Sequence, residues 1–275
     1  MSVNATFREP AEFPTWFIHG GNFLKVYSSL ILFGGVLGNA LSLPAFWRNK
    51  SCRKSTRIIF ASMAVTDTMA LLSAVTRYWI NSMFQYDIRT SSDLACQAQI
   101  FFIYFSFNSS IALLMALGIE RFCLVLFPVK TTCLKRTRNT AFSILVIFVV
   151  FAVKEGIGSS RYKVYKITET LSICRPPMNE AKQLAGLQLF YHAFISYTTL
   201  FVTNVGVFWR VKKSFTRIST DQASKRQNQS IEKRSLTATK MIIAITVYHL
   251  LTNIPGQCPC TLTLFHHPIR VPSPH

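Results

Sequence analysis

Six apolar stretches, at 26–47, 58–79, 98–122, 140–153, 187–209 and 241–258, dominate this chain. A helix rising 1.5 Å per residue needs about 20 residues to cross a hydrocarbon core of about 30 Å. In lipid every backbone N–H and C=O must find its partner within the protein, which leaves helices as the solution for separate blocks of this length. The expected fold class is therefore an all-α membrane protein with about six spans. The fourth stretch is the shortest and runs into Lys154 and Glu155, so its outer limit is open.

The formal net charge of +19 on 275 residues would suit a nucleic-acid binder, but its distribution does not. Most of it lies in the segments 48–57, 130–138 and 210–240, which follow the first, third and fifth spans. Basic loops stay cytoplasmic, so these share the inner side and residues 1–25 are expected outside the cell. Nucleic acid drops out as a partner, membrane lipids enter, and the expected location is the plasma membrane. The segment 1–22 lacks the basic start and apolar stretch of a cleavable leader, so the first span is expected to direct insertion. Asn4-Ala5-Thr6 is a glycosylation sequon on the outer side. Of the seven cysteines, Cys96 at the outer end of the third span and Cys174 in the next outer loop both face an oxidising space. A disulfide between them would tie that loop over the mouth of the bundle.

Polar groups inside the membrane mark function or helix pairing. Cys96 and Arg121 are 25 steps apart, about 37 Å of helix, and so mark opposite surfaces. Counted from the inner surface, Asn39, Asp67 and Ser110 fall in one layer, about 13–17 Å deep. A buried carboxylate must be paired, protonated or bound to a cation, which makes Asp67 with Asn39 and Ser110 a candidate Na⁺ site; no other cofactor is expected. At the inner edge Glu120 adjoins Arg121, whose five N–H donors would be freed for another partner on separation. Arg77 lies near the outer end of the second span. It either snorkels to the interface or meets an anionic ligand group, and His192 could line the same cavity.

These positions resemble the rhodopsin-like family of G-protein-coupled receptors. The matching residues are Gly38-Asn39 in the first span, Met63-Ala64-Val65-Thr66-Asp67 in the second, Cys96, the Glu120-Arg121-Phe122 triplet, Pro128 seven residues beyond the arginine, and Cys174 in the loop. The resemblance implies a seven-transmembrane-type bundle over about residues 26–258. It makes Glu120-Arg121 an inner lock that opens to let the arginine and Phe122 face a heterotrimeric G protein. It also makes Cys96–Cys174 the loop disulfide, and the chain a receptor rather than an enzyme. The candidate ligand pocket then comprises Arg77, Ile103, Tyr104, Phe107, His192 and Gln257.

The fourth span lacks the family's Trp. Ser196 stands in place of the fifth span's Pro, and Asn204 where a Tyr is common. Thr252-Asn253-Ile254-Pro255 in the sixth is similar to invertebrate FMRFamide-like neuropeptide receptors. Ile103 replaces the aspartate of monoamine receptors, and the third span is free of acid from Leu94 to Ile119. A peptide or an acidic lipid is expected as ligand, with Arg77 as its anion partner. After Pro255 the prolines at 259, 268, 272 and 274 leave no room for a seventh helix in the 259–275 tail. The chain reads as a truncated form of such a receptor; the plasma membrane and G-protein coupling are the expectation for the complete receptor, and retention in the endoplasmic reticulum without signalling the expectation for this form. A six-span transporter or channel would need an inverted repeat or a filter segment, and the sequence carries neither.

Overall fold

The computed structural model describes residues 15–48, 53–126, 137–167 and 172–218. Asn4, Gln257, the sixth apolar stretch and the 259–275 tail lie outside the described residues. The first span is α1 (Thr15–Arg48). The second is α2 (Lys54–Ala70) continued through a π-helical turn (Leu71–Val75) into α3 (Thr76–Phe84). The third is α4 (Asp93–Leu126) and the fourth α5 (Thr137–Ser159). A hairpin of β1 (Lys163–Lys166) and β2 (Ser172–Arg175) follows. The fifth is α6 (Met178–Leu189), a second π-helical turn (Phe190–Ser196) and α7 (Tyr197–Ile218). Among the described residues the architecture is all-α apart from this two-stranded hairpin, and Lys25–Arg48, Lys54–Phe84, Asp93–Leu126 and Thr137–Ser159 are long and apolar enough to cross a membrane.

The third span is the axis of the bundle. In its most apolar window 56 % of residues are buried, against 6 % in the first span, which shows most of its surface outward. Ile59 and Met63 from the second span, Leu113, Leu114 and Leu117 from the third, Ile144 from the fourth and Leu200 from the fifth form one buried cluster around it. Outward faces stay apolar, with Phe33, Leu37, Phe142, Val149 and Phe201 all exposed, as lipid contact requires.

Two helices are irregular where the sequence offers no proline. A π-turn inserts one extra residue and disturbs the i→i−4 ladder. In both cases a hydroxyl takes up a carbonyl five residues back: Ser196 Oγ donates to the Tyr191 carbonyl at 3.0 Å, and Thr76 Oγ1 to that of Leu71 at 3.4 Å. The fifth span thus acquires its irregularity through Ser196, the residue standing at the missing proline.

The fourth helix continues past Val153 to Ser159, carrying Lys154 and Glu155 within it. At the outer end, the Cys96–Cys174 disulfide joins α4 to β2. The Val164 N–H donates to Asp93 Oδ1 at 2.7 Å and Gln97 Nε2 to the Tyr162 carbonyl at 3.1 Å, so the hairpin is tied to the third span by covalent and polar links together.

Candidate functional site

At the inner end, Glu120 is 5 % exposed and accepts a hydrogen bond from Ser55 Oγ at 2.8 Å. Arg121 Nη2 donates to Thr56 Oγ1 at 3.0 Å. Among the described residues no ion pair joins Glu120 to Arg121, which corrects the expectation that the carboxylate holds the guanidinium directly. Successive residues on a helix do not face each other, so each charge reaches the second span separately. Ser55 and Thr56 occupy the first turn of α2, where the N-terminal end of the helix dipole favours the nearby anion. Glu120 Oε2 and Arg121 Nε are buried and carry no hydrogen bond among the described residues.

Phe122 completes the triplet on the side of the fifth span. A Cβ placed on Gly206 would collide with the Phe122 ring, and one on Gly118 would lie 2.9 Å from Thr203 Oγ1. Gly118 and Phe122 are four apart, Thr203 and Gly206 three, so each pair shares a helix face and the third and fifth spans meet along it. These two glycines allow the close approach.

The mid-membrane layer forms around the third span. Ser110 Oγ donates to Asp67 Oδ1 at 2.5 Å, and Asn39 Nδ2 donates to Thr68 Oγ1, the neighbour of Asp67, at 3.3 Å. Asp67 and Ser110 are therefore brought together, and Asn39 is tied to the neighbour of Asp67, with no hydrogen bond to either of the pair among the described residues.

Toward the outside, Arg77 is engaged within the protein. Its Nη2 lies 3.3 Å from Asp87 Oδ2, an oxygen that Arg89 Nη2 also approaches to 2.7 Å. Burial opposes ionisation of Asp87, but hydrogen bonds from the Arg89 side chain and backbone and the charges of Arg77 and Arg89 outweigh it and hold its pKa at about 2. Two guanidinium groups share one carboxylate, so the node keeps a positive excess. Tyr104 packs beside the disulfide and is hydrogen-bonded to Tyr162 in the loop. Burial pushes the Tyr162 phenol above its usual range, with Tyr104 and the charge of Glu155 adding to the shift. Ile103 and Phe107 are half-buried on the same helix. His192 belongs to the second π-turn, and its side chain lies outside the described residues.

Sequence reasoning missed a polar cluster between the third, fourth and fifth spans. Glu155, 4 % exposed, accepts from Asn108 Nδ2 at 2.5 Å, Lys154 Nζ at 2.6 Å and Gln188 Nε2 at 3.2 Å. Asn108 Nδ2 also lies 3.4 Å from Gln188 Oε1. The signal was present in the sequence. Gly156, Ile157 and Gly158 continue the apolar pattern beyond the Lys-Glu pair, and Asn108 sits mid-span where polar side chains need partners.

A membrane bundle whose third span carries the disulfide, the polar layer and the inner charged pair is the arrangement of a seven-helix receptor. Residues 38–273 match the family described as 7 transmembrane receptor (rhodopsin family), and the chain belongs to that family as a multi-pass membrane protein, a receptor rather than an enzyme. It is similar to galanin receptor type 2 of Rattus norvegicus, 25 % identical over 242 residues, which cover 84 % of this chain and 60 % of that receptor. The allatostatin-A receptor of Bombyx mori is 22 % identical over 273 residues, covering 94 % of this chain and 73 % of the receptor. The uracil nucleotide/cysteinyl leukotriene receptor of Homo sapiens is 23 % identical over 237 residues, 84 % of this chain and 59 % of the relative. The chain thus spans about 60 % of the length of the first relatives it matches.

Proposed function

We propose that this protein binds an extracellular peptide, a neuropeptide of the FMRFamide-like kind, and activates a heterotrimeric G protein from its inner face at the plasma membrane. The observation that carries the reading is the inner site. Glu120 and Arg121 are both tied to the second span, through Ser55 and Thr56, and Phe122 is wedged against Gly206 of the fifth. A movement of the fifth or second span breaks these contacts and frees the Arg121 donors for a partner protein. Similarity to galanin and allatostatin-A receptors supports a peptide.

An acidic lipid ligand is the second reading, favoured by the positive excess of the Arg77–Asp87–Arg89 node and by the likeness to a nucleotide and leukotriene receptor. In either case the Asp67–Ser110 pair offers Na⁺ hard oxygen ligands in the resting bundle.

Basal G-protein activation in cells by a complete seven-span version of the receptor tests the inner lock. Glu120→Gln removes a charge-assisted acceptor of about 1–3 kcal/mol, so basal activation rises severalfold at equal surface expression. Thr56→Val, which removes the Arg121 acceptor, acts in the same direction. Basal activity unchanged in both variants overturns the lock.

A further inference from the structure

We propose that Glu155 and Asn108 form a subsite for a cationic group of the ligand, an ammonium or guanidinium, and that Lys154 is its resident stand-in. Among the described residues Glu155 is the carboxylate buried in the outer half of the bundle. It supplies from the fourth span the counter-ion that the third span lacks at Ile103.

The cluster is a cation site by construction, because it already holds one. The Lys154 ammonium touches Glu155 Oε1 and lies 5.5 Å from the Tyr191 ring centre and 5.9 Å from that of Phe151, so a carboxylate and two aromatic faces surround it. Its hold is replaceable. The Lys154 side chain is 40 % exposed, where Glu155 is 5 %, and its four-carbon stem can carry the ammonium outward to the interface when another cation takes its place. The exchange conserves charge, so the buried carboxylate is never left alone.

A second observation is independent of Lys154. The Asn108 Oδ1 acceptor is buried, on a residue of 0 % exposure, and has no hydrogen bond among the described residues. Its amide nitrogen is committed to Glu155 and Gln188. A carboxylate can accept about four hydrogen bonds, and Glu155 receives three. The acceptors left over therefore call for a group with several N–H donors. A ligand anion would meet the buried Glu155 charge and the Asn108 acceptor, and an apolar group would leave that acceptor unpaired.

The subsite takes its place in function from the receptor reading above, but its chemistry can be measured without a G protein. The full chain in detergent is melted against increasing N-acetyl-arginine amide, with N-acetyl-citrulline amide as the neutral isostere. The arginine compound should raise the melting temperature and the citrulline compound should not, and Glu155→Gln should abolish the shift. Lys154→Met removes the tethered competitor, so it should lower the melting temperature of the free protein and yet bring half-saturation to about tenfold lower arginine compound. That opposite pair of effects separates a ligand site from a structural clamp, and it stands even where Glu155→Gln fails to fold. Equal response to the two compounds, or an arginine response that Lys154→Met leaves unchanged or weakens, overturns the subsite. Cation binding together with basal activity unchanged in Glu120→Gln and Thr56→Val would overturn the inner lock and leave the subsite standing.

Discussion

Gly206 offers the sharpest test of how the third and fifth spans meet. An added Cβ there overlaps the Phe122 ring, whereas one on Gly34 in the first span has nothing within 4 Å. Glycine to alanine inside a helix is worth about 0.8–1 kcal/mol in the favourable direction, and Gly34→Ala should show that gain undiminished. Forcing a methyl into a packed interface costs about 1–3 kcal/mol, so Gly206→Ala should come out between neutral and roughly 2 kcal/mol destabilising. Phe122→Leu removes the ring edge that the methyl would strike. In that background Gly206→Ala should regain the favourable sign, a coupling of about 1–3 kcal/mol between the two sites. Melting of the four variants in detergent, followed with a thiol-reactive dye, measures the cycle at roughly 2–4 °C per kcal/mol. If Gly206→Ala stabilises as Gly34→Ala does, or if its penalty survives Phe122→Leu unchanged, the close approach is not where the packing places it.

Two further outcomes concern the outer surface. Peptide mapping without reduction should recover Cys96 linked to Cys174, and replacing both by Ala should cost about 2–5 kcal/mol of stability; two free thiols in protein from the secretory pathway would contradict the link. Asp87 has a folded pKa lowered from 3.8 to about 2, so its contribution is complete above about pH 4 and is lost as pH falls through about 2. Melting temperature should therefore decline across that window, and Asp87→Asn, which leaves Arg77 and Arg89 without their shared partner at every pH, should be less stable at neutral pH and lack this part of the decline.

What the sequence made legible were features set by long-range physical constraints. Span positions follow from bilayer thickness, so the apolar blocks located four long membrane helices well. The depth count from Arg121 and Ile58 placed Asp67 and Ser110 together because helical rise is nearly constant, and they are in contact. Topology put Cys96 and Cys174 on the same side, where they are bonded. Direction around the helix axis was harder. Depth says nothing about it, which is why Asn39 reaches Thr68 instead of Asp67, and why Glu120 and Arg121, adjacent in sequence, turn to different hydroxyls of the second span.

The fourth and fifth spans show a deeper limit. Hydropathy counts a Lys-Glu pair as the end of a membrane segment because each charge alone is costly in lipid. The cost belongs to the isolated group, however, and partners on other helices remove it: Asn108 and Gln188 lie 47 and 33 residues from Glu155 and cannot be seen from a window centred on it. The same holds for the π-turn at Phe190–Ser196, which no proline announces. It inserts a residue just beyond Gln188, and every later side chain of the fifth span is rotated by about 100° relative to an uninterrupted helix. Gly206 therefore meets Phe122 in a register that exists only because the turn is there. The outer cluster and the inner triplet each take a partner, Gln188 and Gly206, from the fifth span, whose phase is set between them, so a ligand that pulls Gln188 away from Glu155 acts on the same element that carries Gly206 against Phe122.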